Sequence, residues 1–380
     1  MDLGLSEQQE MLHRTTREFL ERECPTALVR AMEQDEGGYP PTLWRGVAEL
    51  GWPGILFPDE NGGLGLGYVD AGVLFQEIGR AMAPIPLFQT VALGGVPILE
   101  AGNTTQRRKY LNSIAAGDLI ATMALVEPEG TFGPDGIKLE ARQSPRGFVL
   151  SGTKMFVEFA NVADLMVVAA RTSPAGRSRT GQGVSLFLVD ARSPGISQTP
   201  LKTIAADKQS EVVFRNVEVP ADSLLGPVNE GWPVVEHTLQ RATLLTCAQM
   251  VGAARRVLEI TLDYAKSRLA FGRPIGSFQA IQHMCADMVT WADGAELLTY
   301  EALWKVDEGL PAAQAVSMAK GFCNERLRQL TAHAQQIHGG IGYMLEFDLQ
   351  LWFRRMKGWE LKLGNSFLHR EHTAGVLLGA

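Results

Sequence analysis

The spacing of apolar residues changes twice along this chain, and that change restricts its possible folds. Up to about residue 118, apolar residues recur at helical spacing. From about 119 to 220, short β-branched runs alternate with turn residues, and from about 228 onward helical spacing returns. The longest apolar helix face runs from Ile281 to Leu303. This order predicts helices, then strands, then helices.

Local signals place the first helices. Ser6 is followed three residues later by Gln9, which is the pattern of a capping box, so a helix should begin after Ser6. Further helices are expected near Val69–Arg80 and before Asn103. The glycines of segment 62–67 do not follow the G-x-G-x-x-G pattern, which favours a packing or surface loop over a nucleotide loop.

The middle and last thirds of the chain predict different architectures. Strands are expected at Ala163–Ala170, Val184–Val189 and Glu211–Val219, with a turn at Ser144–Gly147. Several such strands suggest a sandwich or barrel. Long helices separated by glycine breaks then predict a C-terminal four-helix bundle. The expected class is α+β, with domains over residues 1–118, 119–225 and 226–380.

Composition excludes several classes of protein. Of the 380 residues 46% are hydrophobic and 20% charged, and the net charge is −7, so a basic nucleic-acid footprint is not expected. No stretch has the ~18 uninterrupted apolar residues of a membrane span, and no leader pattern is read at the N-terminus. The predicted location is the cytoplasm. The four cysteines are widely spaced, which predicts free, mostly buried thiols.

Polar clusters give weaker signals. His369 and His372 are three residues apart and lack the HExxH pattern, so they are interpreted as a solvated helix face, and no metal site is predicted. Arg268 precedes a glycine-containing loop. The segment is either a site where the arginine binds a diphosphate or an ordinary connection between two helices. Gly339 and Gly340 end another helix, either as a cap or as exposed N–H groups for an anion.

Three segments together carry a family resemblance. They are GTKMFVEFANVAD (152–164), YAKSRLAFGRPIGSFQAIQHMCADM (264–288) and QIHGGIGYMLEFDLQLWFRR (336–355). With VEPEG (126–130) and NGGLG (61–65), they make the chain resemble the acyl-CoA dehydrogenases over essentially its whole length. The resemblance implies the corresponding fold, with a helical domain, a β domain and a helical bundle.

The resemblance also implies a chemistry. The family binds FAD and an acyl-CoA thioester, a carboxylate removes the α-proton, and hydride leaves the β-carbon for the flavin. Two hydrogen bonds polarise the thioester carbonyl, one of them from a backbone N–H. The product is the enoyl-CoA, and electron-transfer flavoprotein is the implied acceptor. Each FAD of the family lies between two subunits, and the fold usually works as a tetramer.

Half of each FAD site comes from the neighbouring subunit in this family, and this chain matches that half. Arg268 corresponds to the diphosphate-binding arginine and Phe271 to the phenylalanine beside it. Gln336, Gly339 and Gly340 correspond to the segment on the adenine side. The resemblance therefore implies that these residues bind FAD.

The half supplied by the subunit's own β domain departs from the family. Val126 stands where a threonine usually contacts the flavin, and Phe156 replaces the usual tryptophan. Glu158 replaces the threonine near flavin N5, where a carboxylate would oppose the negative charge of reduced flavin.

The general base is the largest departure. Leu363 stands where most members carry Glu before a glycine, and Gln240 stands at the alternative position on the first bundle helix. Neither side chain can accept the α-proton. Arg241 matches the family's substrate-side arginine. Leu363 keeps a backbone N–H for the thioester carbonyl.

Four functions remain open, and the first is favoured. The chain is predicted to form a tetramer with a second acyl-CoA dehydrogenase-like chain that supplies the base, as in bacterial members acting on bulky, ring-bearing acyl-CoAs. A homomer with Glu158 or Glu236 as substitute base is the second hypothesis. A flavin-dependent oxidase or monooxygenase and a FAD-free scaffold subunit are the others. The acyl chain stays undetermined.

Overall fold

The computed structural model describes residues 4–174 and 181–378, which form two compact units. The first unit contains the described residues up to Arg30, Gly67–Ala83 and the chain from Thr243 onward. The second contains Ala31–Leu66 and Pro84–Ala242. The three predicted domains include residues 1–3, 175–180 and 379–380, which lie outside the described residues.

The helices follow the predicted spacing. In chain order they are α1 (Glu7–Glu23), α2 (Thr26–Gln34), α3 (Pro41–Glu49), α4 (Tyr68–Ala81), α5 (Val96–Ala101), α6 (Thr104–Ala115), α7 (Trp232–Ser267), α8 (Gln279–Asp307), α9 (Ala313–Phe322), α10 (Arg328–His338), α11 (Leu349–Leu361) and α12 (Ser366–Leu378). These elements confirm the predicted helical N-terminal and C-terminal regions.

The predicted helix boundaries are confirmed in detail. Ser6 Oγ accepts the Gln9 N–H at 3.2 Å, and Gln9 Oε1 accepts the Ser6 N–H at 3.0 Å, so both halves of the capping box are formed. The long α8 ends at Asp307, two residues before Gly309, which is one of the glycine breaks expected between the C-terminal helices. The helix α10 ends at His338, where the paired glycines begin.

Two glycines let α4 and α7 pack backbone to backbone within the first unit. A methyl group added at Gly79 would lie 2.0 Å from the Gln249 carbonyl oxygen. A methyl group added at Gly252 would lie 1.8 Å from the Gln76 carbonyl oxygen. Because backbone atoms cannot rotate away as a side chain does, only glycine is compatible with this crossing.

The strands of the second unit form one hydrogen-bonded sheet. They are β1 (Ala121–Ala124), β2 (Glu140–Ser144), β3 (Gly147–Glu158), β4 (Leu165–Arg171), β5 (Val184–Asp190), β6 (Ile196–Leu201), β7 (Gln209–Pro220) and β8 (Leu224–Leu225). The order is β6-β7-β3-β2-β4-β5-β8, and β1 pairs in parallel with β4. The predicted central β domain and the β2–β3 turn are therefore confirmed.

A short hairpin in the first unit has no counterpart among the sequence predictions. It pairs β9 (Leu269–Ala270) with β10 (Arg273–Pro274), in a segment expected only to interrupt a helix. Its two turn residues, Phe271 and Gly272, have φ of 53° and 78°, as a tight two-residue turn of type I′ requires. Two-residue strands carry no detectable alternation, so periodicity could not find them.

The remaining predictions concern single residues and segments. Cys24, Cys247 and Cys323 are buried, Cys285 is half-buried, and all four thiols are free, as predicted. Gly63 packs against the Phe57 carbonyl oxygen, which fits the predicted packing loop. Within residues 4–174 and 181–378, no helix has the length and apolar character to cross a bilayer.

The glycine crossing of α4 and α7 generates a stability prediction. We expect Gly252→Ala to lower the free energy of unfolding by about 1–3 kcal/mol, because the new methyl group meets a backbone oxygen. Gly321→Ala in α9 is the matched control, since its methyl group would lie 3.7 Å from the nearest atom, the His369 Cβ. This control should be neutral or stabilising by up to about 1 kcal/mol. Urea unfolding of both variants measures the difference, and equal stabilities would contradict the packing argument.

Candidate functional site

A buried ion pair fixes the start of the site in the second unit. Lys154 is fully buried, and its Nζ donates to Glu127 Oε1 at 2.7 Å and to the Leu125 carbonyl at 3.0 Å. Burial lowers the pKa of Lys154 to about 8. The Glu127 carboxylate also accepts the backbone N–H groups of Lys138 and Leu139. These contacts attach the segment after β1 to strand β3.

The predicted flavin-side residues Val126 and Phe156 lie next to that attachment in the chain. The Met155 N–H donates to the Val126 carbonyl at 2.8 Å. The pairing of β3 with β7 shifts register between Lys154 and Val157, which is the signature of a bulge. Within this bulge Phe156 has φ of 57° and leaves 53% of its surface exposed. The bulge thus presents the Phe156 ring at the surface of the unit.

Glu158 has an amide partner that the sequence analysis did not identify. Gln89 Nε2 donates to Glu158 Oε2 at 2.5 Å, and Thr122 Oγ1 donates to the Glu158 carbonyl at 2.7 Å. Gln89 is buried in the π-helical segment Gln89–Gly95, and its Oε1 has no partner in the described part of the chain. The carboxylate is therefore held by a neutral donor from a helix.

The first turns of α7 carry three other predicted residues. Gln240 is half-buried, while Glu236 is exposed. Arg241 Nη1 lies 3.6 Å from Glu100 Oε2, and the same carboxylate is 2.7 Å from His237 Nδ1. The predicted substrate-side arginine therefore has a carboxylate neighbour within its own unit.

In the first unit, the hairpin after α7 exposes the predicted diphosphate-binding group. Arg268 is exposed, and its carbonyl accepts the Ile275 N–H at 2.9 Å, which closes the hairpin base. Phe271 at the turn leaves 95% of its surface exposed. Arg273, on the other strand, lies over the Phe278 ring at 4.2 Å from its centre.

The turn after α10 lies beside the same end of α7. The His338 ring stacks on the Tyr264 ring with 4.3 Å between centroids, and the Arg268 N–H donates to the Tyr264 carbonyl at 2.8 Å. Methyl groups added at Gly339 or Gly340 would meet no atom within 4 Å, so this turn is open. Gln336 is exposed. The structure thus brings together the two segments assigned to the FAD diphosphate and adenine side.

The loop that contains Leu363 has an unusual backbone held by side chains. Leu363 and Gly364 have φ of 57° and 96°. Asn324 Nδ2 donates to the Gly364 carbonyl at 3.2 Å, and His369 Nε2 donates to the Leu363 carbonyl at 2.9 Å. Lys320 Nζ is buried and donates to Asn324 Oδ1 at 2.7 Å. None of these three side chains was assigned to the site from sequence.

The interpretation of His369 as part of a solvated face is wrong. Its ring is buried, with Nε2 bonded to the Leu363 carbonyl and Nδ1 3.5 Å from Ser317 Oγ. Burial lowers the pKa of His369 to about 4. His372 is exposed, as predicted. The sequence pattern could not separate them because α12 packs one face on α9, and the two histidines fall on different sides of that contact.

Comparison with known proteins identifies the family. Models of the acyl-CoA dehydrogenase N-terminal, middle and C-terminal domains match residues 6–118, 122–217 and 229–378. The chain belongs to the acyl-CoA dehydrogenase family. The CarC subunit of the caffeyl-CoA reductase–Etf complex of Acetobacterium woodii is 32% identical over 378 residues, covering 98% of this chain and 99% of that subunit.

Solved acyl-CoA dehydrogenase-like structures agree with the assignment. A chain of the ChsE4–ChsE5 complex from Mycobacterium tuberculosis has a TM-score of 0.91 at 26% identity, over 100% of both chains. A variant of the Tcur3481–Tcur3483 steroid ACAD has a TM-score of 0.87 at 30% identity, over 98% of both chains. The predicted family, fold and FAD dependence are confirmed, and the chain is a FAD-dependent oxidoreductase acting on acyl-CoA.

The site residues that sequence analysis missed are long-range partners. Gln89 is 69 positions from Glu158, and Asn324 is 40 positions from Gly364. No local pattern connects such pairs. Lys320 did carry one signal, since it is the single lysine within the otherwise apolar and small-residue run AVSMAKGF. A charged group on an apolar helix face indicates a specific buried partner.

The buried His369 generates a prediction about acid stability. Its pKa is about 4 in the folded protein against an ordinary 6.5, so in that interval the unfolded chain binds the extra proton. Folding stability is therefore lost as the pH falls from 6.5 towards 4. His369→Gln keeps an N–H donor and removes this titration. Between about pH 7 and pH 5 the wild type should lose about 2 kcal/mol more than the variant in urea unfolding. Equal losses would show that folding does not lower the pKa of His369.

Proposed function

We propose that this chain is one subunit of a heteromeric acyl-CoA dehydrogenase that converts acyl-CoA thioesters to enoyl-CoA. In this proposal it contributes Arg268, Phe271, Gln336, Gly339 and Gly340 to a FAD site completed by a second acyl-CoA dehydrogenase-like chain. The observation that carries the proposal is the hydrocarbon side chain of Leu363, at the position that the family resemblance assigns to the general base.

The residues of the first unit fit FAD. At Gly339 and Gly340 the turn has no side chain and no atom within 4 Å of the position of an added methyl group, so a ligand can approach the backbone closely. The backbone N–H groups of such a turn suit an anion. Arg268 stands exposed on the adjoining hairpin, with a guanidinium suited to a diphosphate. The Phe271 ring makes one edge contact within the chain, with the Phe278 ring at 6.0 Å, and still leaves 95% of its surface exposed for contact with another molecule.

The absence of an acid at the two base positions supports a partner chain. Loss of a general base costs about 10²–10⁴-fold in rate. Leu363 has no titratable group, and the Gln240 amide cannot take a proton at neutral pH. In the proposal, the general base is therefore supplied by the second chain.

The second unit also supports a FAD site that is completed by another chain. Glu158 brings a carboxylate to the position assigned near flavin N5, and Gln89 Nε2 donates a hydrogen bond to it. A fixed negative charge there would disfavour reduced flavin. This half therefore suits flavin less well than the half that carries Arg268.

Each residue then has a defined task. When bound, FAD supplies the acceptor for the hydride that leaves the β-carbon of the acyl chain. Arg268 holds the diphosphate, and the Gly339–Gly340 turn admits the rest of the dinucleotide. Arg241 remains assigned to the substrate side. The Leu363 N–H is the candidate donor to a thioester carbonyl.

The relatives suggest the substrate class and acceptor. Their names mention caffeyl-CoA, Etf and a steroid ACAD, so we propose ring-bearing acyl-CoAs as substrates and electron-transfer flavoprotein as acceptor. The ChsE4–ChsE5 complex is a precedent for pairing of two such chains. The proposed complex is a heterotetramer, placed in the cytoplasm.

The deciding experiment is co-expression of the full chain with candidate acyl-CoA dehydrogenase-like chains. We expect co-purification, one FAD for each pair of chains by absorbance, and turnover only by the complex. A purified chain that alone forms a tetramer with one FAD per subunit and dehydrogenates acyl-CoA would overturn the proposal.

The donated half of the site is tested by arginine replacement. We expect Arg268→Ala to weaken FAD binding by the complex about tenfold or more, because a charge-assisted hydrogen bond to a phosphate is lost. Arg273→Ala on the other strand of the hairpin is the matched control and should keep the FAD content. Calorimetric titration of the apo-complex with FAD measures both. Equal weakening in the two variants would point to hairpin disruption instead of lost phosphate contact.

Substitute bases within this chain are tested separately. We expect Glu158→Gln and Glu236→Gln to change turnover of the complex by less than about twofold, because neither carboxylate takes the α-proton in the proposal. Steady-state rates on the same acyl-CoA measure the effect. A loss of about 10²-fold or more in either variant would identify that glutamate as the base and remove the need for a partner's acid.

A further inference from the structure

We propose that a pocket among α1, α4, α7 and the start of α11 in the first unit binds an amphipathic anion, a molecule with one carboxylate or phosphate group and an apolar body. The pocket has a volume of about 490 Å³, within the range of about 300–1,000 Å³ that small-molecule sites occupy. No residue assigned above to FAD or acyl-CoA is among the described residues that line it. The site is therefore additional to those of the proposed reaction.

A row of alternating charges runs along one wall of this pocket. Glu77 is buried, and its carboxylate accepts Arg17 Nε at 2.9 Å and Arg17 Nη2 at 2.8 Å. Glu259 accepts both terminal nitrogens of Arg80, at 2.6 Å and 2.7 Å, and Arg256 Nη1 at 3.1 Å. Three guanidinium groups from three helices thus share two carboxylates, which leaves one positive charge in excess along the row.

Two of these arginines keep hydrogen-bond donors for a ligand. Within residues 4–174 and 181–378, Arg256 donates only through Nη1, and Arg17 is hydrogen-bonded only through Nε and Nη2. Their side chains are 41% and 35% exposed, so a molecule in the pocket can reach the remaining N–H groups. A guanidinium stays charged at neutral pH, and its planar pairs of donors match the oxygens of a carboxylate or phosphate.

Apolar side chains make up another part of the lining. Leu20 of α1, Ile260 of α7, and Leu349 and Trp352 of α11 line the pocket together with Phe347, which directly precedes Asp348 and α11. A bare inorganic anion would leave this apolar surface in contact with water. A ligand with an apolar body covers the surface and gains from its removal from water, so the lining favours an amphipathic anion.

The other acidic residues of the lining do not reverse this choice of charge. Asp348 already accepts Arg30 Nη2 at 2.7 Å and Arg30 Nε at 3.0 Å. Glu21 and Glu346 are exposed, and at such positions water and salt weaken the field of a charge. The arginine row is more enclosed, since the Arg80 side chain is only 11% exposed. The enclosed wall therefore determines which charge the pocket prefers.

Isothermal titration calorimetry of the purified full chain tests the inference. The probes are decanoate and decyl phosphate, with decyltrimethylammonium as the cation of the same chain length, all below the concentrations at which they form micelles. We expect at least one anion to bind at one site per chain, about tenfold or more tightly than the cation. The anion that binds more tightly shows whether the ligand is a free acid or a phosphate ester. Equal affinities for the cation and the anions, or no binding of either anion, would overturn the inference.

Two substitutions locate the bound anion. Arg256→Met removes the charge and keeps an unbranched side chain, so it should weaken binding about tenfold through the loss of a charge-assisted hydrogen bond. Ile260→Trp, one helical turn further along α7, should fill the pocket and prevent binding. Arg14→Met is the matched control, because the exposed Arg14 of α1 is not among the described lining residues, and it should leave the affinity unchanged.

An unchanged affinity in Arg256→Met would place the anion elsewhere on the chain and refute the site. This variant decides the matter even if Ile260→Trp does not fold, because Arg256 is partly exposed and its removal leaves Glu259 paired with Arg80. None of these measurements requires a partner chain. Failure to find a partner would therefore refute the proposed function without affecting this site.

Discussion

Two fully buried lysines determine the conformation of the candidate site. An ammonium group without water must be satisfied by oxygens at fixed positions, because an uncompensated buried charge costs several kcal/mol. Lys154 meets this requirement with Glu127 and the Leu125 carbonyl, and so fixes the segment after β1. Lys320 meets it with Asn324 and the Trp359 carbonyl, and so fixes the loop after α11. In each unit a desolvated cation immobilises a loop.

The residues predicted to bind FAD have a different chemical character in each of the two units. The hairpin with Arg268 and the open Gly339–Gly340 turn offer a cation, exposed backbone and free space, all of which suit a phosphate-bearing cofactor. The strand β3 offers an aromatic ring and a carboxylate, with Glu158 tied to Gln89. This contrast between the two sets of residues is the structural basis of the proposal that a second chain completes the site.

Sequence reasoning reached the architecture because hydrophobic spacing reports on burial directly. The capping box at Ser6, the end of α8 before Gly309 and the strands around the Ser144–Gly147 turn all follow from local rules. The assignments of Arg268 and Leu363 to the site rest on motif positions and stay predictions. The partners Gln89, Asn324 and His369 were missed, because contacts between distant segments depend on the packing of whole elements. The two strands of the hairpin have two residues each, which is too short to show an alternation of apolar and polar residues, so they were not predicted.

The left-handed backbone conformation at Leu363 does not depend on the Leu363 side chain. Its geometry is set by hydrogen bonds to carbonyl oxygens and makes no use of the side chain at that position. A loop held in this way is compatible with either an acidic or a hydrophobic side chain at position 363. Exchange of the side chain at position 363 would therefore leave the hydrogen bonds that shape this loop in place.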